Sequence, residues 1–284
     1  MLVVVVGATN GIGYYTALGL ATNKVNTLIL VGRSVEKGEI IKKASLDANP
    51  SCAVHLVIVE LSLIANVRIA IKEIQTIAVN GIDILYNSAA LCLFTTKQTS
   101  EGIEQSFVVN YLQRFLIIKE LLPLLNKVPY SRIVLVAAPG KPNWSLLPLD
   151  LDDLFSTQSK NQGSLVLRIP IVCNDILYSE LIKRLKNENS TTTISLYNPG
   201  LVNTGSQRDL GYIKYFFTLA ATLFGTRLDE SGDFPVKLAM EDDLKGKSVV
   251  YLRTHEIKQP ETVTNDELGI KLWEYSTSLC DKYY

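Results

Sequence analysis

The stretch that decides the fold lies near the start of the chain, directly after the apolar run at residues 2–6. It reads Gly7-Ala8-Thr9-Asn10-Gly11-Ile12-Gly13. Glycines in such a turn let the backbone approach a pyrophosphate, and a following helix offers unpaired N–H groups at its positive end. A strand, a glycine turn and a helix in this order predict a nucleotide-binding loop. The alternative is a glycine-rich turn that holds no ligand.

Working outward, short runs rich in Val and Ile alternate with longer periodic segments along the chain. The predicted strands are residues 3–6, 27–31, 54–59, 82–85, 133–136, 193–197 and 248–252. The predicted helices are residues 13–22, 35–48, 63–79, 101–125 and 164–186. This alternation indicates an α/β fold with a doubly wound, Rossmann-type parallel sheet of seven strands and helices on both faces. We expect one domain over residues 1–284.

Two long stretches do not fit the alternation and should lie near the carboxyl edge of the sheet. Residues 139–163 read as a loop, and residues 203–226 form an apolar run with several aromatic side chains. Such excursions are where open α/β sheets bind ligands, so we expect residues 203–226 to form a lid over a hydrophobic ligand. Core packing and shallow contact with a membrane surface are the alternatives for this segment.

Composition excludes several classes of function. The chain has 28 basic and 28 acidic residues, so it carries no electrostatic footprint for nucleic acid. Its four cysteines show no Cys-x-x-Cys spacing, which favours reduced thiols in a cytoplasmic protein. The two histidines form no metal-binding cluster, and we expect no metal. No apolar run approaches the roughly 18 residues that a membrane span requires.

Further motifs make the chain similar to the short-chain dehydrogenase/reductase family, in particular to its retinol-dehydrogenase-like members. The glycine loop is followed by Glu60-Leu61, by Asn87-Ser88-Ala89-Ala90, by Asn110 and by a Pro-Gly turn at residues 199–204. The resemblance covers nearly the whole chain, including a last helix near residues 266–274. It implies a dinucleotide site made by Gly7, Thr9, Asn10, Gly11, Ile12, Gly13, Glu60, Leu61, Asn87, Ala89, Pro199, Gly200, Val202 and Thr204.

The residue after the second strand predicts which dinucleotide binds. An acidic residue there accepts the ribose 2′-hydroxyl of NAD, whereas an arginine meets the 2′-phosphate of NADP. This chain has Arg33 at that position. We therefore expect NADP(H), in a role that is structural or redox, although Arg33 could equally be a solvated surface residue.

The resemblance also implies a proton-handling group of serine, tyrosine and lysine beside a helix asparagine, and here it departs from the family. The positions that correspond to serine, tyrosine and lysine hold Ala138, Leu167 and Ile171, and only Asn110 is kept. None of the thirteen tyrosines is followed by a lysine four residues later, so the loss does not depend on the alignment. Pro170 also removes an N–H from the middle of the predicted helix.

Several side chains near these positions are candidate substitutes. Lys141 and Arg168 are the strongest, because a cation stabilises developing negative charge. Tyr178 lies about two helical turns beyond Ile171, which places its phenol too far along the axis. Each is more simply explained as a surface or packing residue.

Three functional hypotheses follow. In the first hypothesis, the chain is a non-redox catalyst that positions a hydrophobic small metabolite for a cyclisation, an isomerisation or a pericyclic step, as in secondary metabolism. Alternatively, it is a pseudoenzyme that senses NADP(H) or serves as a scaffold. In the third hypothesis it is an oxidoreductase with substitute groups. The resemblance also implies homo-oligomers through the helices that carry Asn110 and Leu167, which the sequence alone does not decide.

Overall fold

A computed structural model describes residues 1–93, 95–137, 162–200, 202, 225, 227–252, 257–258 and 266–283. Its strands are β1 (Leu2–Val6), β2 (Thr27–Gly32), β3 (Ala53–Ile58), β4 (Ile84–Asn87), β5 (Arg132–Val136), β6 (Thr193–Asn198), β7 (Val250–Leu252) and β8 (Ile257–Lys258). They form one sheet in the order β3-β2-β1-β4-β5-β6-β7-β8. Strands β1 to β7 pair in parallel, whereas β8 pairs antiparallel to β7. The doubly wound parallel sheet is confirmed, with one antiparallel edge strand that the sequence did not predict.

The helices that the periodicity predicted are present with shifted ends, and the described residues add a helix at residues 233–240 that was not predicted. They are α1 (Gly11–Thr22), α2 (Val35–Ala48), α3 (Ile64–Ile77), α4 (Gln105–Phe107), α5 (Gln113–Leu125), α6 (Gln162–Asn187), α7 (Asp233–Met240) and α8 (Asp266–Asp281). A π-helical turn, Val108–Leu112, joins α4 to α5. None of the described helices is both long enough and apolar enough to cross a membrane.

Strand β4 begins two residues later than predicted. Ile82 is buried and apolar, but its N–H donates to the carbonyl of Leu124 at 3.1 Å at the end of α5. Ladder pairing begins only at Ile84, opposite Val3 on one side and Arg132 on the other. The predicted strand was therefore two residues too long at its start, because Ile82 is buried and apolar without pairing in the sheet.

The core has two halves, one on each face of the sheet. Val4 and Val6 of β1 pack into one apolar cluster, together with side chains of α3, α5, α6 and α8. Val3 and Val5 pack into the other, together with side chains of α1, α2 and α7. Because both faces of β1 are covered, its sequence is a continuous apolar run rather than an alternating one.

The strand order reverses between β1 and β4, which creates a crevice at the carboxyl edge of the sheet. The chain leaves β1 towards β2 and β3 on one side, and later returns to β4 and β5 on the other. In open α/β sheets this switch point is where ligands bind. The glycine loop after β1 and the loop after β4 border the crevice, so the fold brings the predicted cofactor residues to one edge.

Candidate functional site

The glycine loop is a tight turn that side chains would not fit. Gly7 and Gly11 have φ of +87° and +59°, in the left-handed region that favours glycine. A Cβ added to Gly13 would lie 2.2 Å from the carbonyl oxygen of Gly7 and 2.6 Å from the hydroxyl of Ser88. The N–H of Gly7 donates to the carbonyl of Val31 at 2.9 Å, which fixes the turn to β2. The loop is thus built by backbone packing.

Helix α1 begins inside this loop and presents its amino terminus to the crevice. Asn10 precedes the helix in an extended conformation, and the first turn contains Gly11, Ile12 and Gly13 without an acidic residue. The first N–H groups of a helix have no partner within the helix, and its dipole favours an anion there. These residues therefore fit a phosphate group, as the sequence predicts for a dinucleotide.

Two predicted cofactor residues form an ion pair at the ends of β2 and β3. Nη1 of Arg33 lies 3.8 Å from Oε2 of Glu60, with 61% and 43% of the two side chains exposed. The other oxygen of Glu60 accepts a hydrogen bond from the N–H of Ser62 at 3.1 Å. Thr9 packs on Gly32 beside them, since a Cβ on Gly32 would lie 2.3 Å from its methyl group. The glycine loop therefore lies close to the carboxyl ends of β2 and β3.

The loop after β4 is held by a pair of buried amides. Nδ2 of Asn87 donates to Oε1 of Gln113 at 3.1 Å, and Oδ1 of Asn87 accepts from the N–H of Ala89 at 3.2 Å. The Ser88 hydroxyl donates to the carbonyl of Val6 at 3.3 Å. Asn87 and Ala89, both predicted as cofactor residues, thus lie in a loop that is tied to β1 and to α5.

Asn110 lies in the π-helical turn, and its polar groups are engaged within the protein. Its Oδ1 accepts from the N–H of Leu91 at 2.7 Å, while its Nδ2 donates to the carbonyl of Leu91 at 2.7 Å and to the Ser106 hydroxyl at 2.9 Å. Its backbone carbonyl accepts from Nδ2 of Asn174 at 2.8 Å. These bonds join the loop after β4 to α4, to the π-helical turn and to α6.

Helix α6 carries the positions of the expected tyrosine and lysine. The helix continues through Pro170, whose carbonyl accepts from Nδ2 of Asn174 at 2.7 Å. The proline removes one N–H but does not end the helix. Leu167 lies within this helix, and the side chains of Arg168 and Ile171 are half-buried. Ala138 and Lys141 lie outside the described residues.

Tyr178, weighed as a candidate substitute, is a buried core residue. Only 2% of its surface is exposed, and it belongs to the core cluster between the sheet and the helices α5 and α8. Burial raises the pKa of its phenol well above the usual range. A phenol that holds its proton so firmly is a poor general acid or base near neutral pH.

The turn after β6 holds the remaining predicted cofactor residues. Gly200 has a φ of +69°, and its N–H donates to Oδ1 of Asn198 at 2.9 Å after the half-buried Pro199. Val202 is buried against the α1 side of the core. Thr204 lies outside the described residues, as does the predicted lid at residues 203–226 apart from Gly225.

One charged residue at the site was missed by the sequence analysis. Arg114 of α5 is 3% exposed, and its Nη2 donates to the carbonyl of Ala89 at 2.9 Å. A charged residue in a long periodic helix reads as part of a solvated face. The available signal was its spacing, because Arg114 lies four residues after Asn110 and therefore on the same face of the helix.

Comparisons with known proteins agree with this geometry. The family model described as short chain dehydrogenase matches residues 1–141, which include the glycine loop, the strands β1 to β5 and Asn110. Over these residues the chain is similar to the short-chain dehydrogenase/reductase family. It is 28% identical to human retinol dehydrogenase 13 over 98% of this chain and 83% of the relative.

Two solved structures superpose over most of the chain. A structure of an uncharacterised protein from Mycobacterium Paratuberculosis has a TM-score of 0.71 at 22% identity, covering 99% of this chain and 93% of its own. The angucycline C-6 ketoreductase LanV with bound NADP has a TM-score of 0.64 at 16% identity, covering 89% and 94%. At these identities the likeness establishes the fold.

Proposed function

We propose that this chain is a single-domain dehydrogenase-fold protein that binds NADP(H) between its glycine loop and the loop after β4, under a lid formed by residues 203–226. The amino terminus of α1 would hold the pyrophosphate, with Gly7, Gly11 and Gly13 allowing its approach. A ketoreductase of the same fold was solved with NADP, which supports the choice of ligand. When bound, the cofactor supplies a hydride acceptor or donor.

Arg33 supports NADP(H) over NAD(H) in this proposal. Its guanidinium lies at the carboxyl end of β2, where a 2′-phosphate would meet a dinucleotide site of this fold. Glu60 pairs with it across 3.8 Å and would have to share Arg33 with the phosphate. The phosphate offers more negative charge than one carboxylate, so the cation would favour the phosphorylated nucleotide.

We further propose that the family's redox reaction has been lost. The observation that carries this proposal is the polar network around Asn110. Ile171 stands on α6 where the resemblance places the lysine, and the carbonyl of Asn110 is taken by the amide of Asn174. With Leu167 at the tyrosine position and Ala138 at the serine position, three apolar side chains would stand where protons are moved. Apolar side chains do not act as acids or bases.

The reaction that remains compatible with such a site is one that needs positioning rather than proton transfer. We propose a non-redox step, such as a cyclisation, an isomerisation or a pericyclic reaction, on a hydrophobic small molecule. Orientation alone supplies several kcal/mol to a reaction barrier. The name of the human relative, retinol dehydrogenase 13, supports a hydrophobic ligand.

A pseudoenzyme that binds NADP(H) without catalysis is the second candidate. It is favoured by the same network, since Asn110 uses its side chain on Leu91 and Ser106. Those contacts hold the loop after β4 in place, which a binding protein requires as much as an enzyme does. An oxidoreductase that uses Lys141 or Arg168 as a substitute is the outcome that would refute both.

Calorimetric titration with NADPH and NADH, followed by incubation of the complex with hydrophobic substrates, tests the proposal. We expect NADPH to bind more tightly than NADH, and no change in its absorbance with carbonyl compounds. Conversion of a polyene or carbonyl precursor into an isomer of equal mass would identify the non-redox catalyst. Binding without any conversion would favour the pseudoenzyme, and absence of binding would refute the cofactor proposal.

A further inference from the structure

Arg114 is a buried cation without a counter-charge among the described residues. Its Nη2 donates to the carbonyl of Ala89 at 2.9 Å, and its Nε is buried with no hydrogen-bond partner. No carboxylate of the described chain forms an ion pair with it. Burying a charge is costly unless it is paired, so an unpaired guanidinium in the core calls for an explanation.

The charge of Arg114 persists at neutral pH. Burial lowers the pKa of its guanidinium to about 10, which still leaves the group protonated at pH 7. Tyr86 interacts electrostatically with it, and burial raises the pKa of that phenol to about 12. The phenol is therefore neutral, and it does not cancel the positive charge.

The topology places Arg114 under the half of the crevice that lies opposite the adenine end. In the proposed site, Arg33 and Glu60 would lie beside the adenine ribose, at the ends of β2 and β3 on one side of β1. A dinucleotide bound across the switch point must then extend its other half over β4 and β5. Ala89, which Arg114 contacts, belongs to the loop that leaves β4.

We propose that Arg114 makes the site discriminate between the two redox states of the nicotinamide, so that neutral NADPH binds more tightly than NADP⁺ with its positively charged ring. This inference rests on the proposed binding of NADP(H). Two like unit charges repel with an energy that is inversely proportional to their separation and to the effective dielectric, which is about 20 for protein sites, so a positively charged ring over this half of the crevice would bind less tightly. A site without the redox reaction would then respond to the reduced nucleotide.

The test compares the affinities of NADPH and NADP⁺ in the unsubstituted chain and in four variants by calorimetry. Arg114→Met removes the charge, Arg114→Gln removes it but keeps a donor for the carbonyl of Ala89, and Arg114→Lys retains it. Arg132→Met is the matched control, because Arg132 is also a buried arginine that donates to a carbonyl, that of Leu238 at 3.2 Å, but at the amino end of β5.

We expect the unsubstituted chain to prefer NADPH, and Arg114→Met and Arg114→Gln to reduce this preference about tenfold by binding NADP⁺ more tightly. Arg114→Lys and Arg132→Met should keep it. An unchanged preference in either neutral variant overturns the inference, as does equal affinity of the unsubstituted chain for both nucleotides. If neither nucleotide binds the unsubstituted chain, the proposed function itself is refuted. Thermal unfolding of each variant verifies that it is folded.

Discussion

The side-chain amide of Asn174 donates to the backbone carbonyl of Asn110 at 2.8 Å, which joins α6 to the π-helical turn before α5. A π-helical turn disturbs the regular i→i−4 bonding of a helix, and such turns occur frequently at functional sites. Here the backbone carbonyl of Asn110 has a hydrogen-bond donor within the protein, the amide of Asn174. The same amide also donates to the carbonyl of Pro170 at 2.7 Å. Asn174 therefore supports two irregular points of the fold at once.

Replacement of Asn174 by alanine should lower the free energy of unfolding by about 1–3 kcal/mol, because it leaves the partly buried Asn110 carbonyl without its donor. Urea denaturation measures the change. Asn23→Ala is the matched control, since Asn23 also donates to a helix carbonyl, that of Gly19 at 2.8 Å, but from an exposed position. Equal losses in the two variants would show that burial of the contact does not matter.

Gly13→Ala should abolish nucleotide binding. A Cβ there would lie 2.2 Å from the Gly7 carbonyl oxygen, so the loop must open to accept it. Calorimetry with NADPH checks the result. Gly38→Ala in α2 is the control, because its nearest neighbour is the flexible end of Ile58 at 3.1 Å. The control should bind normally, and it should be stabilised by up to about 1 kcal/mol through helix propensity. Normal binding by Gly13→Ala would contradict the assigned loop.

The ion pair between Arg33 and Glu60 should set the choice of nucleotide. Glu60→Gln removes the carboxylate that competes for Arg33, and we expect it to raise the affinity for NADPH several-fold. Arg33→Ser should lower that affinity about tenfold and leave the affinity for NADH nearly unchanged. Titrations of both variants with both nucleotides check this. A parallel loss for NADPH and NADH in Arg33→Ser would mean that Arg33 does not read the 2′-phosphate.

Glu104 should make stability depend on pH. It is 3% exposed, its Oε2 accepts from the N–H of Phe107 at 2.6 Å, and burial raises the pKa of its carboxyl. A raised pKa in the folded state favours the protonated form, so this stabilisation is full below the ordinary glutamate range and is lost as the pH rises through the raised pKa. Unfolding free energies measured across that range should fall less steeply for Glu104→Gln. Glu36→Gln, on the exposed first turn of α2, should follow the unsubstituted chain.

The central strands and most helices could be predicted from the sequence because burial on both faces of a strand leaves a strong pattern. Each of the runs that became β1 to β7 is short and apolar, and the intervening periodic segments became helices. The sequence did not predict the two-residue strand β8, the eight-residue helix α7 or the π-helical turn at Asn110. Very short elements carry too few residues to show a period, and a π-helical turn leaves the helical pattern almost unchanged.

The sequence predicted the part of the candidate site that is formed by the glycine loop. It did not predict which side chains of the site contact each other. Glycine spacing predicted the loop, and the structure places Gly7 and Gly13 where a Cβ would not fit. The pairing of Arg33 with Glu60, of Asn87 with Gln113 and of Arg114 with Ala89 was not predicted. Each of these contacts joins residues far apart in the chain, and only the folded register of β2, β3, β4 and α5 brings them together.

The central claim, that the site binds NADP(H) but does not transfer its hydride, is tested most directly by one measurement. The protein is saturated with NADPH, as verified by calorimetry, and the nicotinamide absorbance is followed during incubation with retinal and other hydrophobic carbonyl compounds. We predict saturable binding and no oxidation above that of a Gly13→Ala protein. Oxidation of NADPH that requires the unsubstituted glycine loop and yields the corresponding alcohol would contradict the claim.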